Sequence, residues 1–217
     1  MKLGYDTLLF DLDGTLTDSA EGILNSVRYA LEPLGIYETD QKRLFSFIGP
    51  PLFDSFKRLY DMDDELAHKT VAVYRKRYEE TGKFENRVYD GIPELLQKLK
   101  DAGYRLILAT AKPEMFSFPI MDHFDLTRYF DLMYGCDESI NRMNKVHVIR
   151  DIMAAHPEIN RENTIMIGDR DHDVLGAAEN GLDCIGVLYG FGDRAELQNA
   201  NAKYIVETVD ALEKLLI

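Results

Sequence analysis

The chain has 217 residues, 46% of them hydrophobic, and its 25 basic against 38 acidic side chains leave a net charge of -13. That length holds one core domain plus a small inserted one, at roughly 100 to 150 residues per domain. The negative field repels nucleic-acid phosphates and anionic membrane surfaces, so neither a nucleic-acid polymer nor a membrane is expected as a partner. Cys136 and Cys184 are too few for a disulfide framework, the first residues form no basic-then-apolar leader, and no apolar run approaches the roughly 20 residues that span a bilayer. A cytoplasmic location is expected.

The first element is an apolar strand running into Asp11-Leu12-Asp13-Gly14-Thr15. Successive side chains of a strand point to opposite faces, so Asp11 and Asp13 share one face while Leu12 turns into the protein. Gly14 lets the backbone leave sharply, and Thr15 offers a hydroxyl to tie down the turn. An Asp-Gly turn with a capping acid accounts for Asp13 but leaves Asp11 without a reason.

Residues 18–83 read as helical. Asp18-Ser19 caps a helix with Ile23, Val27, Ala30, Leu31 and Leu34 at helical spacing, and Leu66, Val73, Tyr74 and Tyr78 mark another. Arg75-Lys76-Arg77 reads as a solvated face. The segment is an insert after the first strand, with hinges near residues 15–18 and 82–91. Its loop Phe47-Ile48-Gly49-Pro50-Pro51 combines a stiff proline pair with a glycine that permits close approach.

From Gly91 onward, strands alternate with helices. Pro93 opens a helix that Gly103 ends, and strand 105–110 follows. Then come strand 132–134, helix 145–155, strand 164–168, helix 174–180 closed by Gly181, and strand 183–188. Asp193 and Glu196 resemble a capping box, and a strand at 203–206 and a helix at 209–216 end the chain. This rhythm predicts an α/β fold: a Rossmann-like parallel sheet with helices on both faces, formed by residues 1–17 and 84–217, plus a small helical cap, 18–83. Ligands of such sheets sit at the carboxyl ends of the strands, the edge from which the insert leaves.

Polar signals fall at that edge. Thr110-Ala111 at a strand end offers a hydroxyl and main-chain N–H groups to an anion, although Thr110 alone also fits a helix N-cap. Lys145 opens a helix, where the dipole disfavours a cation; pairing with a phosphate would account for that placement, and an exposed surface lysine is the alternative. Arg142 and Asn144 are candidate supporting donors. Gly168-Asp169-Arg170-Asp171-His172-Asp173 crowds three acids at a strand end, which calls for a hard divalent cation such as Mg2+, with Asp171 assigned to capping. The five histidines show no ligand spacing, and Gly190-Phe191-Gly192 reads as a turn.

In order and placement, these four signals resemble the haloacid dehalogenase superfamily of aspartate-nucleophile phosphatases. Within it the chain is similar to the phosphoglycolate-phosphatase-like group. The stretches at 47–51, Asn144-Lys145 and Gly186 to Gly190 look similar to 5'-nucleotidase-type members.

The resemblance implies a Mg2+-dependent phosphatase of small phosphorylated metabolites, of the phosphoglycolate or nucleoside 5'-monophosphate type, as a monomer or homodimer. Asp11 would be the nucleophile and Asp13 the general acid and base, its proton retained through crowding by other carboxylates. Asp11, the Asp13 carbonyl and Asp169 would hold the metal, with Asp173 orienting them. Gly14, Thr110, Ala111 and Lys145 would hold the phosphate, and Phe47, Ile48, Gly49, Phe53 and Arg142 would select the substrate. A β-phosphoglucomutase-type mutase shares these core motifs, a phosphonate hydrolase would need a cap lysine such as Lys57, and a non-catalytic binding module on the same fold is the alternative outside enzymes.

Overall fold

The computed structural model describes residues 3–217. It divides into two compact units, one running to Asp18 and resuming at Val88–Ile217, the other Ser19–Arg87. In chain order the strands are β1 (Thr7–Phe10), β2 (Thr17–Asp18), β3 (Arg87–Val88), β4 (Arg105–Pro113), β5 (Leu132–Cys136), β6 (Thr164–Gly168), β7 (Asp183–Val187) and β8 (Tyr204–Val206). The helices are α1 (Ala20–Leu31), α2 (Gln41–Phe45), α3 (Leu52–Tyr60), α4 (Asp64–Glu80), α5 (Ile92–Asp101), α6 (Glu114–His123), α7 (Lys145–Ala155), α8 (Asp171–Glu179), α9 (Arg194–Asn199) and α10 (Val209–Leu216).

Six strands form one sheet in the order β5-β4-β1-β6-β7-β8, with all five neighbouring pairs parallel. Alternation along the strands feeds two separate cores. Leu8, Phe10, Leu106, Leu108, Ile165 and Ile167 face one, with Leu95 of α5, Ile120 of α6 and Leu212 of α10. Leu9, Ile107, Ala109 and Met166 face the other, with Val148 and Ile149 of α7, Val174 and Ala177 of α8 and Leu197 of α9. A sheet covered on both faces needs apolar residues at every position of its central strands, which is why β1 and β6 read as unbroken runs. Among the described residues, no helix is long and apolar enough to cross a membrane.

β1 sits at the centre of the sheet, with β4 and β6 as neighbours, in register Phe10↔Leu108 and Phe10↔Ile167. Asp11 and Asp169 directly follow β1 and β6, and Thr110 lies in the last part of β4. β4 extends to Pro113, three residues beyond the expected end. A residue before proline is held extended, which keeps Lys112 within β4 although the β4–β5 register shifts between Ala109 and Pro113.

Several local expectations change. Ser19 precedes α1 but makes no capping hydrogen bond. Asp193 does cap α9, accepting from Glu196 N–H at 2.8 Å. Glu196 does not return that bond, because its carboxylate accepts from Arg170 Nε and Asp171 N–H. Arg77 is not on a solvated face: its guanidinium reaches both oxygens of Glu85 at 2.8 Å and Ser26 Oγ at 3.0 Å. Arg75 and Lys76 are exposed.

Candidate active site

α7 begins at Lys145 because Asn144 caps it, its side-chain oxygen accepting from His147 N–H at 3.0 Å. The Asn144 oxygen thus serves the helix start, and its amide NH2 is a separate donor. From that first turn the buried Lys145 reaches Asp11 Oδ1 at 2.7 Å, the Ala109 carbonyl at 2.7 Å and Asp173 Oδ1 at 2.8 Å. Three acceptors answer the three donors of the ammonium, which accounts for a cation at an unfavourable helix position. Gly176 makes room for it, since a Cβ there would lie 2.7 Å from Lys145 Cγ.

Asp11 follows β1 and keeps the ladder going, its N–H donating to the Ile167 carbonyl at 2.9 Å. Burial pushes its carboxyl up from the ordinary value, opposed by Lys145 and reinforced by Asp173. Asp173, between Lys145 and the Arg170 N–H at 3.1 Å, is held below the ordinary value: burial works against ionisation, and Lys145 outweighs it. Asp173, not Asp171, thus takes the cap-like bond at the start of α8. Asp171 lies beside His172 in the first turn and is half exposed.

Asp169 is fully buried. Oδ2 accepts the Phe191 N–H at 2.7 Å, whereas Oδ1 has no hydrogen-bond partner among the described residues. Burial, then the charges of Asp173 and Asp11, push its carboxyl up to about 8. A buried carboxylate oxygen without a donor, in a pocket with more acids than the single Lys145 neutralises, fits an oxygen-seeking divalent cation. Asp11, His172 and Asp173 also offer ligand atoms within 4.8 Å of one another, and the single positive charge of Lys145 cannot balance both Asp11 and Asp173. Asp169 Oδ1 likewise needs a cation.

Gly14 adopts φ +79°, and a Cβ there would fall 2.1 Å from Asp169 Oδ2. Its N–H donates to the Thr17 carbonyl at 2.8 Å, and its lack of a side chain clears space for Asp169 beside the expected phosphate position. The Thr15 hydroxyl does not tie the turn down either. It is buried without a hydrogen-bond partner among the described residues, and main-chain bonds from Leu16 and Thr17 to the Leu12 carbonyl close the turn.

Thr110 is buried, and its hydroxyl accepts the Lys112 N–H at 3.2 Å. It is no helix N-cap, because α6 starts four residues later, after Pro113. Ala111 beside it is half-buried. Asp13 faces a cation rather than crowding carboxylates: Lys112 Nζ lies 3.1 and 2.8 Å from its two oxygens. The crowding expected at Asp13 falls on Asp11 and Asp169 instead.

Arg142 is buried and engaged within the core unit. It donates to the Gly135 carbonyl at 2.6 Å, pairs with Glu114 and lies over the Tyr134 ring, so the substrate contact expected of it gives way to bracing the ends of β5 and α6. In the helical unit, Phe47 is buried against Phe56 and Tyr60, with ring centroids 4.9 and 6.2 Å away, and Ile48 is buried too. These two pack; they do not present surface to a ligand. Phe53 is half-buried, with His68 4.4 Å away, and Gly49 is exposed with φ +105°. Lys57 pairs with Asp64, which raises its ammonium above the ordinary value, the opposite of what a Schiff-base lysine needs.

Lys112 and the Gly190-Phe191-Gly192 loop were not among the expected site residues. The signal for the loop was two glycines flanking one residue after a strand: a Cβ at either would overlap Asp169.

Residues 8–187 match the haloacid dehalogenase-like hydrolase family. The chain is 46% identical over 214 residues to a 5'-nucleotidase of Pseudomonas aeruginosa, covering 99% of this chain and 96% of that one. It is 35% identical over 212 residues to the tyrosine-protein kinase PtkA of Mycobacterium tuberculosis, covering 96% and 72%. Among solved structures, a predicted phosphatase from Clostridium acetobutylicum superposes with a TM-score of 0.89 at 49% identity, covering 97% of each chain.

Proposed function

The chain belongs to the haloacid dehalogenase-like hydrolase family, and on that premise we propose that it is a Mg2+-dependent phosphatase of small phosphate monoesters that works through an aspartyl-phosphate on Asp11. The observation that carries this reading is the pairing of a buried, desolvated Asp11 with Lys145 beside an Asp169 oxygen that has no donor among the described residues. A carboxylate made more basic by burial is a stronger nucleophile once ionised, and Lys145 holds it in place. The 5'-nucleotidase relative supports nucleoside 5'-monophosphates as the first substrates to try, with phosphoglycolate as the second class.

Asp11 attacks phosphorus, the hydroxyl of Thr110 donates to a transferring oxygen, and the nearby positive charge of Lys145 offsets the charge that the transferring oxygens carry. Asp13 gives a proton to the departing alcohol and takes one from the water that later cleaves the aspartyl-phosphate. Asp11, the Asp13 carbonyl and Asp169 would hold Mg2+, with Asp173 orienting this set; when bound, the ion supplies Lewis-acid neutralisation of the phosphoryl charge. Ser19–Arg87 would act as the cap that selects the leaving group. The free buried thiols Cys136 and Cys184 support a reducing, cytoplasmic setting.

Phosphate release from a panel of nucleoside monophosphates, phosphoglycolate and sugar phosphates, with and without Mg2+, tests the reading. Turnover of at least one class that disappears on chelation supports it, and no release from any of them refutes it. The kinase-named relative favours one variation, transfer to a hydroxyl in place of water. Adding an alcohol or a tyrosyl peptide as acceptor and looking for its phosphorylated form decides between the two.

A further inference from the structure

The reaction above asks Asp13 to move a proton twice, yet a free aspartate carboxyl rotates over a broad torsional range. In this structure it is fixed. The ammonium of Lys112 contacts both oxygens, at 3.1 and 2.8 Å, and the lysine side chain is only 7% exposed while Asp13 is 22% exposed. An exposed ion pair would contribute little, whereas this one has its cation almost out of water. The backbone supports the aim: Pro113 keeps Lys112 extended near the end of β4, and β1 runs alongside β4.

We propose that Lys112 is a positioning residue for Asp13, holding its carboxylate in the orientation from which it exchanges protons with the leaving group and with water. This rests on the phosphatase reading. In the first half, an Asp11 oxygen bonds phosphorus, the bond from phosphorus to the leaving oxygen breaks, and the proton on Asp13 passes to that oxygen. In the second, a water oxygen bonds phosphorus, the Asp11 bond to phosphorus breaks with its electrons returning to the carboxylate, and the water's proton passes to Asp13. Lys112 acts in both halves by holding Asp13.

A positioning role has a signature that a phosphate ligand or a structural ion pair lacks. Alkyl phosphates need a proton on the leaving oxygen, whereas p-nitrophenolate leaves without one. In Lys112→Met, kcat/KM for glycerol phosphate should fall by about 10²-fold, the lower end of general acid catalysis, while that for p-nitrophenyl phosphate falls no more than a few fold. Lys112→Arg should recover most of the loss, and Lys112→Gln, the variant to use should Lys112→Met fold poorly, should fall between. In an Asp13→Asn background, Lys112→Met should cost nothing further. An equal loss for both esters carried by KM would make Lys112 a phosphate ligand and overturn the proposal, as would losses that add to those of Asp13→Asn. No turnover of either ester by the unmodified protein would refute the phosphatase reading itself, and the proposal with it.

Discussion

Lys145 Nζ stands 2.7 Å from Asp11 Oδ1, with the lysine side chain 2% and the aspartate side chain 6% exposed. A dry pair of this kind is costly to break from one side, since removing the cation leaves Asp11 and Asp173 facing each other without compensation. Lys145→Met should therefore lose about 3 to 5 kcal/mol of stability and at least 10²-fold in activity. Chemical denaturation and phosphate release measure the two losses. Activity kept within threefold would remove Lys145 from the chemistry.

The uncompensated Asp169 oxygen predicts a metal response that does not depend on turnover. Mg2+ at about a hundred times its Kd should raise the Tm by roughly 5–10 °C, because it binds the folded state preferentially. Asp169→Ala should abolish the rise. A rise of unchanged size in that variant would show that the ion binds elsewhere.

In the helical unit, Arg77 grips Glu85 with two 2.8 Å bonds. The guanidinium beside Glu85 holds that carboxyl below its ordinary value, partial burial opposing it. A depressed carboxyl contributes stability that is present above the unfolded value, ~4.3, and is lost as pH falls through the folded one. Arg77→Met should cost about 1–2 kcal/mol at pH 7, and the difference from the unmodified protein should shrink below pH ~4. Urea denaturation across pH checks this. A difference that grows in acid contradicts it.

Phe47 and Phe53 should behave differently despite lying six residues apart. Phe47→Ala empties a site packed against Phe56 and Tyr60, for a loss of about 3–5 kcal/mol. Phe53 is half-buried beside His68, and Phe53→Ala should instead reorder substrates by kcat/KM with little change in Tm. Uniform loss across all substrates in Phe53→Ala would place specificity elsewhere.

The α/β rhythm was legible because each central strand feeds two cores and so carries no polar interruption, as in Leu8-Leu9-Phe10 and Ile165-Met166-Ile167. α6 was not legible: Pro119 sits inside it and its apolar residues do not gather on one side. The core acids and Lys145 were legible because each is costly where it stands, whether as an acid closing a buried strand or a cation opening a helix. What stayed hidden was pairing. Nothing local joins Lys112 to Asp13 across 99 positions, or marks Phe191 N–H as the partner of Asp169. Likewise, nothing local marks Phe47 and Arg142, both expected to select the substrate, as residues that packing turns inward. Sequence order does not record which of three neighbouring acids turns back to the helix start, which is why the capping role expected of Asp171 falls to Asp173.

The central claim is that Asp11 carries the phosphoryl group. Quenching the enzyme during turnover, reducing the acyl phosphate with borohydride and mapping the product by mass spectrometry tests this most directly. The account predicts that Asp11 is converted to homoserine in the unmodified protein, and that Asp11→Asn yields neither this product nor turnover. Undiminished phosphate release by Asp11→Asn, with no modified residue in either protein, would contradict it.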